Sequence, residues 1–205
     1  MSAPHSEWAA EPRRVRLHPD YDPELYRRPY VHDRWPDHIQ RVRATIDFGW
    51  IMVPLVPRTI ADLSCGDGAI ARGLAERYAA EYGEVVPRPR LTLGDVTEGW
   101  SVRGPIERTI REITRVDLLV CSETVEHLDD PDAVLRDASR VADWILLTTP
   151  VAEWDGASNP EHLWGWNVAA VRELLTSTGW NPIASIVYTP SAVDFYTFQF
   201  WVAHS

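Results

Sequence analysis

The sequence contains no lysine, only two cysteines and no apolar stretch long enough to cross a membrane. Its 20 basic residues are therefore all arginine, and 30 acidic residues oppose them, which gives a formal net charge of −10. Non-specific binding to nucleic acid or to an anionic membrane needs a basic surface, so the composition argues against both partners. The longest apolar run, residues 48–57, is too short to span a bilayer.

The cysteines, Cys65 and Cys121, each lie inside an apolar segment. Two such residues do not make a disulfide framework, and they suit a reducing compartment. Residues 1–7 also lack the basic stretch followed by an apolar one that marks a signal peptide. We therefore expect a cytoplasmic protein.

A length of 205 residues suggests one domain with a terminal extension. Residues 1–35 are rich in Pro, Arg, His, Asp and Tyr and show no steady period. We expect a partly ordered, helical N-terminal arm there, with the arginine pair at 13–14 in solvent. The domain itself is expected over residues 36–205, beginning with an amphipathic helix at 37–50.

Short apolar segments then alternate with helical ones. Strands are predicted at 59–64, 90–95, 116–121 and 144–149, and helices at 68–82, 105–113, 130–141 and 167–178. Two last strands, 183–188 and 195–203, follow one another without a helix. The pattern predicts an α/β fold: a Rossmann-like, mostly parallel sheet with helices on both faces and a C-terminal antiparallel hairpin.

The turn after the first of these strands carries the first chemical motif, Asp62-Leu-Ser-Cys-Gly-Asp-Gly68. Its glycines let the backbone approach a ligand closely, and ligands bind beyond the carboxyl ends of the strands in such sheets. Gly66-x-Gly68-x-x-Ala71 formally matches a dinucleotide fingerprint. However, the acid that this fingerprint requires about 20 residues on is found only at Asp95, 29 residues after Gly66.

The same motif resembles motif I of the class I S-adenosylmethionine-dependent methyltransferases. Residues 116–131 resemble the fourth-strand segment of that superfamily, residues 145–150 resemble its fifth strand, and residues 158–166 stand where its substrate loop stands. The resemblance implies a small methyltransferase with S-adenosylmethionine across the strand ends and the N-terminal arm as a lid. It also implies the cofactor-binding residues Asp62, Ser64, Cys65, Gly66, Gly68, Asp95, Cys121 and Ser122.

One stretch departs from the superfamily pattern. The chain between Asp62 and Asp117 is short for a second strand, a helix and a third strand, so the third strand should be absent or rudimentary. Asp95 then binds either the ribose hydroxyls, which we favour, or the adenine amino group, because a carboxylate accepts from both.

A second group of residues combines carboxylates and imidazoles: Glu123, Glu126 and His127, with His162 in the later loop. If Glu123 begins a helical turn, the first three share one face. A histidine of this group could act as a general base. Alternatively, all four residues could bind Mg²⁺, Mn²⁺, Fe²⁺ or Zn²⁺, or they could only cap helices and line the cleft. We keep His127, His162 and Glu126 as the candidate catalytic residues.

The spacing Glu-x-x-Glu-His followed by a later histidine resembles the small-RNA 3′-terminal 2′-O-methyltransferases, and the Glu-His step resembles the quinone-biosynthesis O-methyltransferases. We expect O-methylation of a small molecule such as a sugar, nucleotide or phenol. RNA methylation is the second choice because of the acidic charge, and a non-catalytic binding module is a third. The sequence does not indicate the oligomeric state. Trp154, Trp164 and Trp166 could stack on the acceptor or pack their own loop against the sheet.

Overall fold

The computed structural model describes residues 10–19, 31–155, 159–192 and 196–205. Among these residues, a mixed sheet has the order β4-β3-β2-β5-β6-β9-β8. Its strands are β2 (Thr59–Asp62), β3 (Arg90–Asp95), β4 (Val102–Arg103), β5 (Val116–Ser122), β6 (Ala142–Pro150), β8 (Asn181–Tyr188) and β9 (Phe198–His204). The pairs from β4 to β6 are parallel, whereas β9 is antiparallel to both β6 and β8. The predicted parallel sheet and C-terminal hairpin are therefore confirmed.

Helices cover both faces of this sheet. Helices α1 (Pro36–Met52) and α2 (Ala69–Tyr82) pack on one face, while α3 (Ile106–Thr109), α4 (Pro131–Val141) and α5 (Val168–Ser177) pack on the other. Successive residues of a strand point to opposite faces, so Ile60 joins the α1–α2 core and Ala61 joins the other core. Both cores exclude water, which leaves the strand ends as the place for polar chemistry.

The predicted helix starts at α4 and α5 rest on side-chain caps. Asp130 Oδ1 accepts a hydrogen bond from the Ala133 N–H over 2.9 Å, and Asn167 Oδ1 accepts from the Ala170 N–H over 2.9 Å. Such caps satisfy amides that have no partner inside the helix. Local sequence signals thus set these boundaries correctly.

The structure differs from the prediction in its shortest strands. Strand β1 (Arg14–Arg16) pairs with β7 (Trp164–Trp166) in a separate two-stranded sheet that no local pattern indicated. The described residues of the predicted helical arm, 10–19 and 31–35, contain this strand and no helix; residues 20–30 lie outside the described part. The third strand is the two-residue β4, as short as expected. Within the described residues, no helix has the length and apolar character needed to cross a membrane.

Candidate active site

The loop between β2 and α2 has the backbone that its glycines predict. Gly66 and Gly68 adopt positive φ angles of 56° and 78°, which L-residues with a side chain rarely adopt. The Gly66 N–H donates to Asp95 Oδ2 over 2.9 Å, so the carboxylate at the end of β3 holds the loop in place. Thr97 also donates to Asp95, through both its N–H and its hydroxyl, over 3.0 Å each.

Asp62 lies at the end of β2, beneath this loop, and only 3% of it is exposed. Burial first, and then the nearby charges of Asp95 and Asp67, together raise the pKa of its carboxyl to about 8. One weak contact, from the Ser64 N–H over 3.4 Å, opposes the shift. A buried carboxyl with only one weak hydrogen-bond donor is suited to binding a cationic group.

A cavity of about 1380 Å³ opens at the carboxyl ends of the parallel strands. Four of the eight predicted cofactor residues line it, namely Ser64, Gly66, Asp95 and Ser122. The other four, Asp62, Cys65, Gly68 and Cys121, lie behind this wall. The two thiols are buried in the core, and burial raises the pKa of both above its ordinary value.

Three members of the carboxylate–imidazole group, Glu123, His127 and His162, line another part of the same cavity, whereas Glu126 lies buried outside its lining. A 3₁₀ turn, Val125–His127, follows β5 and carries Glu126 and His127, and the loop before β7 carries His162. One potential ligand atom from each of these three residues lies within 4.8 Å of the others. The two imidazole rings meet edge to face, with their centroids 4.8 Å apart.

Glu123 lies outside this trio, and the predicted shared helical face is wrong. Its φ of 50° is not that of a right-handed helix, so the helical turn begins only at Val125. Its carboxylate accepts from the Thr148 hydroxyl over 2.9 Å instead. The structure therefore brings together three of the four predicted metal ligands.

Glu126 is fully buried and only half satisfied. Its Oε2 accepts from the Thr149 hydroxyl over 3.1 Å, whereas its Oε1 has no hydrogen-bond partner. Burial, followed by the charge of Glu123, raises the pKa of Glu126 to about 8. An unpartnered buried oxygen costs free energy, so a bound group that contacts Oε1 would be stabilised.

The two histidines differ in charge state because their surroundings differ. Burial and the neighbouring His162 lower the pKa of His127 to about 3, so His127 is neutral. Burial also opposes the charged form of His162, yet its contact with Glu153 and the nearby Glu126 and Glu123 together raise its pKa. His162 is therefore the more basic of the two imidazoles.

Residues 61–143 match the model of a methyltransferase domain. Over this part of its length, the chain is therefore similar to methyltransferase domains. No curated protein matches the chain in sequence.

Solved structures support the fold. The magnesium protoporphyrin IX methyltransferase of Synechocystis PCC 6803 with bound SAH is 13% identical, with a TM-score of 0.59 over 89% of this chain and 91% of that one. The 1,6-didemethyltoxoflavin-N1-methyltransferase of Burkholderia thailandensis is 16% identical, with a TM-score of 0.56 over 80% and 77% of the two chains. The plantazolicin methyltransferase is 9% identical, with a TM-score of 0.58 over 81% and 85%. These likenesses show that the chain shares the fold of these methyltransferases.

Sequence reasoning missed Glu153, which also lines the cavity. Its Oε2 lies in close contact with His162 Nδ1, and its Oε1 accepts from the Asn159 side-chain amide over 2.7 Å. The same amide contacts the Tyr196 hydroxyl over 2.9 Å. The available signal was positional: Glu153 stands three residues beyond the end of β6, where site residues of this fold collect.

Arg41 was also missed, because it lies on α1, which sequence patterning marks only as a packing helix. It is the only buried arginine among the residues that the structure describes, with 2% exposed. Its guanidinium donates to Ser122 Oγ over 3.1 Å and lines the cavity. Within the described residues it forms no ion pair, although its charge lowers the pKa of Glu123 against the effect of burial.

The segment just before α1 reaches the loop between β2 and α2, here called the cofactor loop. His32 donates its backbone N–H to Asp67 Oδ2 over 2.9 Å, and its ring Nδ1 contacts Asp67 Oδ1 over 2.5 Å. Both His32 and the nearby Trp35 line the cavity. Residues 31–35 thus adjoin the loop that the arm was expected to cover.

Proposed function

We propose that this protein transfers the methyl group of S-adenosylmethionine to a hydroxyl oxygen of a small molecule. The observation that carries the proposal is the Glu153–His162 pair on the cavity wall. A carboxylate on Nδ1 orients the imidazole and makes it more basic, which leaves Nε2 as the proton acceptor. Oxygen acceptors gain most from such a base, because a hydroxyl must lose its proton as the new bond forms.

The step balances without any further reactant. The acceptor oxygen forms a bond to the methyl carbon, the sulfur–methyl bond breaks, and the sulfonium becomes a neutral thioether. The hydroxyl proton passes to His162 Nε2, and the charge on the imidazolium is shared with Glu153. Holding the reacting atoms in line provides much of the rate.

The cofactor is proposed to lie over Ser64 and Gly66. Asp95 is assigned to the ribose hydroxyls, because its strand β3 pairs directly with β2 and only the two-residue β4 lies beyond it. Asp62 is assigned to the amino group at the other end. The buried Arg41 guanidinium supplies unpaired donors for the α-carboxylate.

A divalent cation is the second candidate feature, and one observation favours it. Glu126, His127 and His162 offer one carboxylate oxygen and two ring nitrogens within 4.8 Å of one another, and Glu126 Oε1 has no partner. This donor set fits Mn²⁺, Fe²⁺ or Zn²⁺ better than Mg²⁺, which prefers oxygen. A bound cation would lower the pKa of an acceptor hydroxyl. In that case His162 would be a ligand and not the base.

Acceptor chemistry is tested with a panel of sugars, nucleosides and phenols, with S-adenosylhomocysteine formation as the measurement. Turnover should require a free hydroxyl, and it should fall at least about 100-fold in His162→Ala, in line with the usual contribution of a general base. His204→Ala is the control, since His204 lies at the end of β9. Methyl transfer to a nitrogen or carbon atom of an acceptor, with its hydroxyl left unmethylated, would contradict the proposal.

RNA stays the alternative acceptor, and the cavity wall weighs against it. Acidic residues outnumber arginines among the lining residues, with Glu153, Asp155, Asp129 and Glu161 near the histidine cluster. Carboxylates repel a phosphodiester backbone. An RNA oligonucleotide belongs in the panel as its own arm.

The free, buried cysteines also support the proposed cytoplasmic location.

A further inference from the structure

Strand β7 lies between two parts of the proposed acceptor site: Glu126 on one side and Glu153 on the other. On one side, the Leu163 N–H donates to the Glu126 carbonyl oxygen over 2.7 Å, which sets His162 beside Glu126. The Trp166 indole N–H donates to the Thr149 hydroxyl over 3.0 Å, and this hydroxyl in turn donates to Glu126 Oε2. Both contacts hold Glu126 against β7 and the residue that precedes it.

On its other side, β7 lies against the segment that carries Glu153. The Ala152 N–H donates to the Trp166 carbonyl oxygen over 2.8 Å. Gly165 approaches so closely that a Cβ atom there would stand 1.8 Å from the Glu153 carbonyl oxygen. The distance between Glu126 and Glu153, with His162 between them, therefore depends on where β7 lies.

The strand partner of β7 comes from the N-terminus. Strand β1 pairs with it antiparallel, with Val15 opposite Gly165. The ladder continues beyond the strand ends, since the Leu17 N–H donates to the Leu163 carbonyl over 2.8 Å and the Asn167 N–H donates to the Arg13 carbonyl over 3.1 Å.

Side chains reinforce this pairing. The Arg14 guanidinium lies 4.0 Å from the centroid of the Trp164 ring and forms an ion pair with Asp132 over 2.5 Å. Arg16 lies 4.9 Å from the same ring and pairs with Asp129 over 2.7 Å. Of the arginine pair expected in solvent, Arg14 thus contacts Trp164, and Arg13 lies 4.0 Å from the centroid of the Trp154 ring. Trp164 and Trp166 pack within their own loop, whereas Trp154 lines the cavity.

We propose that residues 10–19 are a positioning element for the acceptor half of the site. They hold β7, and β7 holds His162 and Glu153 at their distance from Glu126. None of residues 10–19 lines the cavity. The segment therefore acts through β7, and through its contacts with the lining residues Trp154 and Asp129, and not by touching the cofactor. The inference uses the proposed function only in assigning the His162 cluster to the acceptor.

The test uses two variants of the full chain, Arg14→Ala and Leu17→Pro, the second of which removes the N–H donor to Leu163. The control is Arg77→Ala, because Arg77 has the same two kinds of contact elsewhere: it lies 4.5 Å from the Trp50 ring and 4.0 Å from Asp47. Three quantities are measured: kcat and KM with an acceptor from the panel, S-adenosylhomocysteine affinity by calorimetry, and amide exchange at Leu163 and Ala152.

Both test variants should speed exchange at these two amides and lower kcat by about 10-fold or more, since small misplacements of reacting groups cost large factors in rate. S-adenosylhomocysteine affinity should stay within about twofold, and Arg77→Ala should keep a wild-type kcat. Faster exchange with an unchanged kcat would overturn the proposal. An equal loss of cofactor affinity and kcat would overturn it too, because the segment would then support the whole domain.

If the wild type methylates no acceptor, the proposed function fails, and the inference is judged separately by ¹⁵N chemical shifts of labelled histidine. Loosening β7 should change the Nδ1 and Nε2 shifts of His162, which report its tautomer, and leave those of His204 unchanged. Unaltered His162 shifts in a variant with fast Leu163 exchange would contradict the positioning role.

Discussion

The carboxylate of Glu153 contacts Nδ1 of His162, although the two residues belong to different segments on either side of residues 156–158. The Asn159 amide holds the second oxygen of the same carboxylate. A histidine bound in this way has one ring nitrogen committed to the protein and the other available at the cavity. This contact makes His162 more basic than His127, whose surroundings leave it neutral.

Glu153→Gln should therefore change the pH dependence of turnover. The carboxylate raises the pKa of His162, so its loss should lower that pKa and move the acid limb of kcat/KM to lower pH. The maximal rate should fall, while S-adenosylmethionine affinity should not change. Glu81→Gln, on the exposed part of α2, is the control. An acid limb that does not move would show that His162 is not the base.

Gly66→Ala should weaken S-adenosylmethionine binding. An alanine at φ 56° costs about 1–2 kcal/mol, and the altered loop would lose its place against Asp95. Gly99→Ala is the matched control, because Gly99 also has a positive φ, 99°, but has nothing within 4 Å of its would-be side chain. Calorimetry should show reduced affinity only in the first variant. Equal affinities in both would place the cofactor elsewhere.

Asp95→Ala should weaken cofactor binding by about 1.5–3 kcal/mol, the range for hydrogen bonds to a charged group. Asp117→Ala is the comparison, since Asp117 accepts from the N–H groups of Arg58 and Thr59 at the opposite end of the strands. Both changes should lower the melting temperature, but only the first should change the titration with S-adenosylmethionine. A normal titration for Asp95→Ala would rule out its ribose role.

Asp62 predicts a pH dependence of stability. Its folded pKa of about 8 lies above the ordinary value of 3.8, so the folded protein holds a proton that the unfolded chain releases. This contribution is complete below about pH 4 and is lost as the pH rises towards 8. In the cofactor-free protein, urea unfolding should show a shallower decline over this range for Asp62→Asn than for the wild type. Identical declines would mean that Asp62 ionises normally.

Metal dependence is tested by a matched pair of variants. If the cation binds, chelation should stop turnover and added Mn²⁺ should restore it. Glu126→Gln should then lower Mn²⁺ affinity by at least about 10-fold, whereas Glu123→Gln, outside the trio, should change it much less. S-adenosylmethionine affinity should remain unchanged in both. Full turnover after chelation would leave the His162 base as the mechanism.

Local signals explain why so much of the fold could be predicted. The apolar run of β5, the Asp130 and Asn167 caps and the glycines of the cofactor loop each act over a few residues. Alternating strands and helices then leave few sheet arrangements, because parallel strands need crossover helices. The sequence by itself thus determined the α/β architecture and the position of the cofactor loop.

Only the tertiary structure decided which polar groups meet. Glu123 fits the trio by spacing, yet its positive φ turns it towards Thr148. Glu153 and Arg41 carry no motif, and they join the site because β6 and α1 end or pack beside it. The β1–β7 pairing joins residues about 150 positions apart, and no local period reports such a contact. Its strands are three residues long, so they form through the contacts of the folded chain and not through their own propensity.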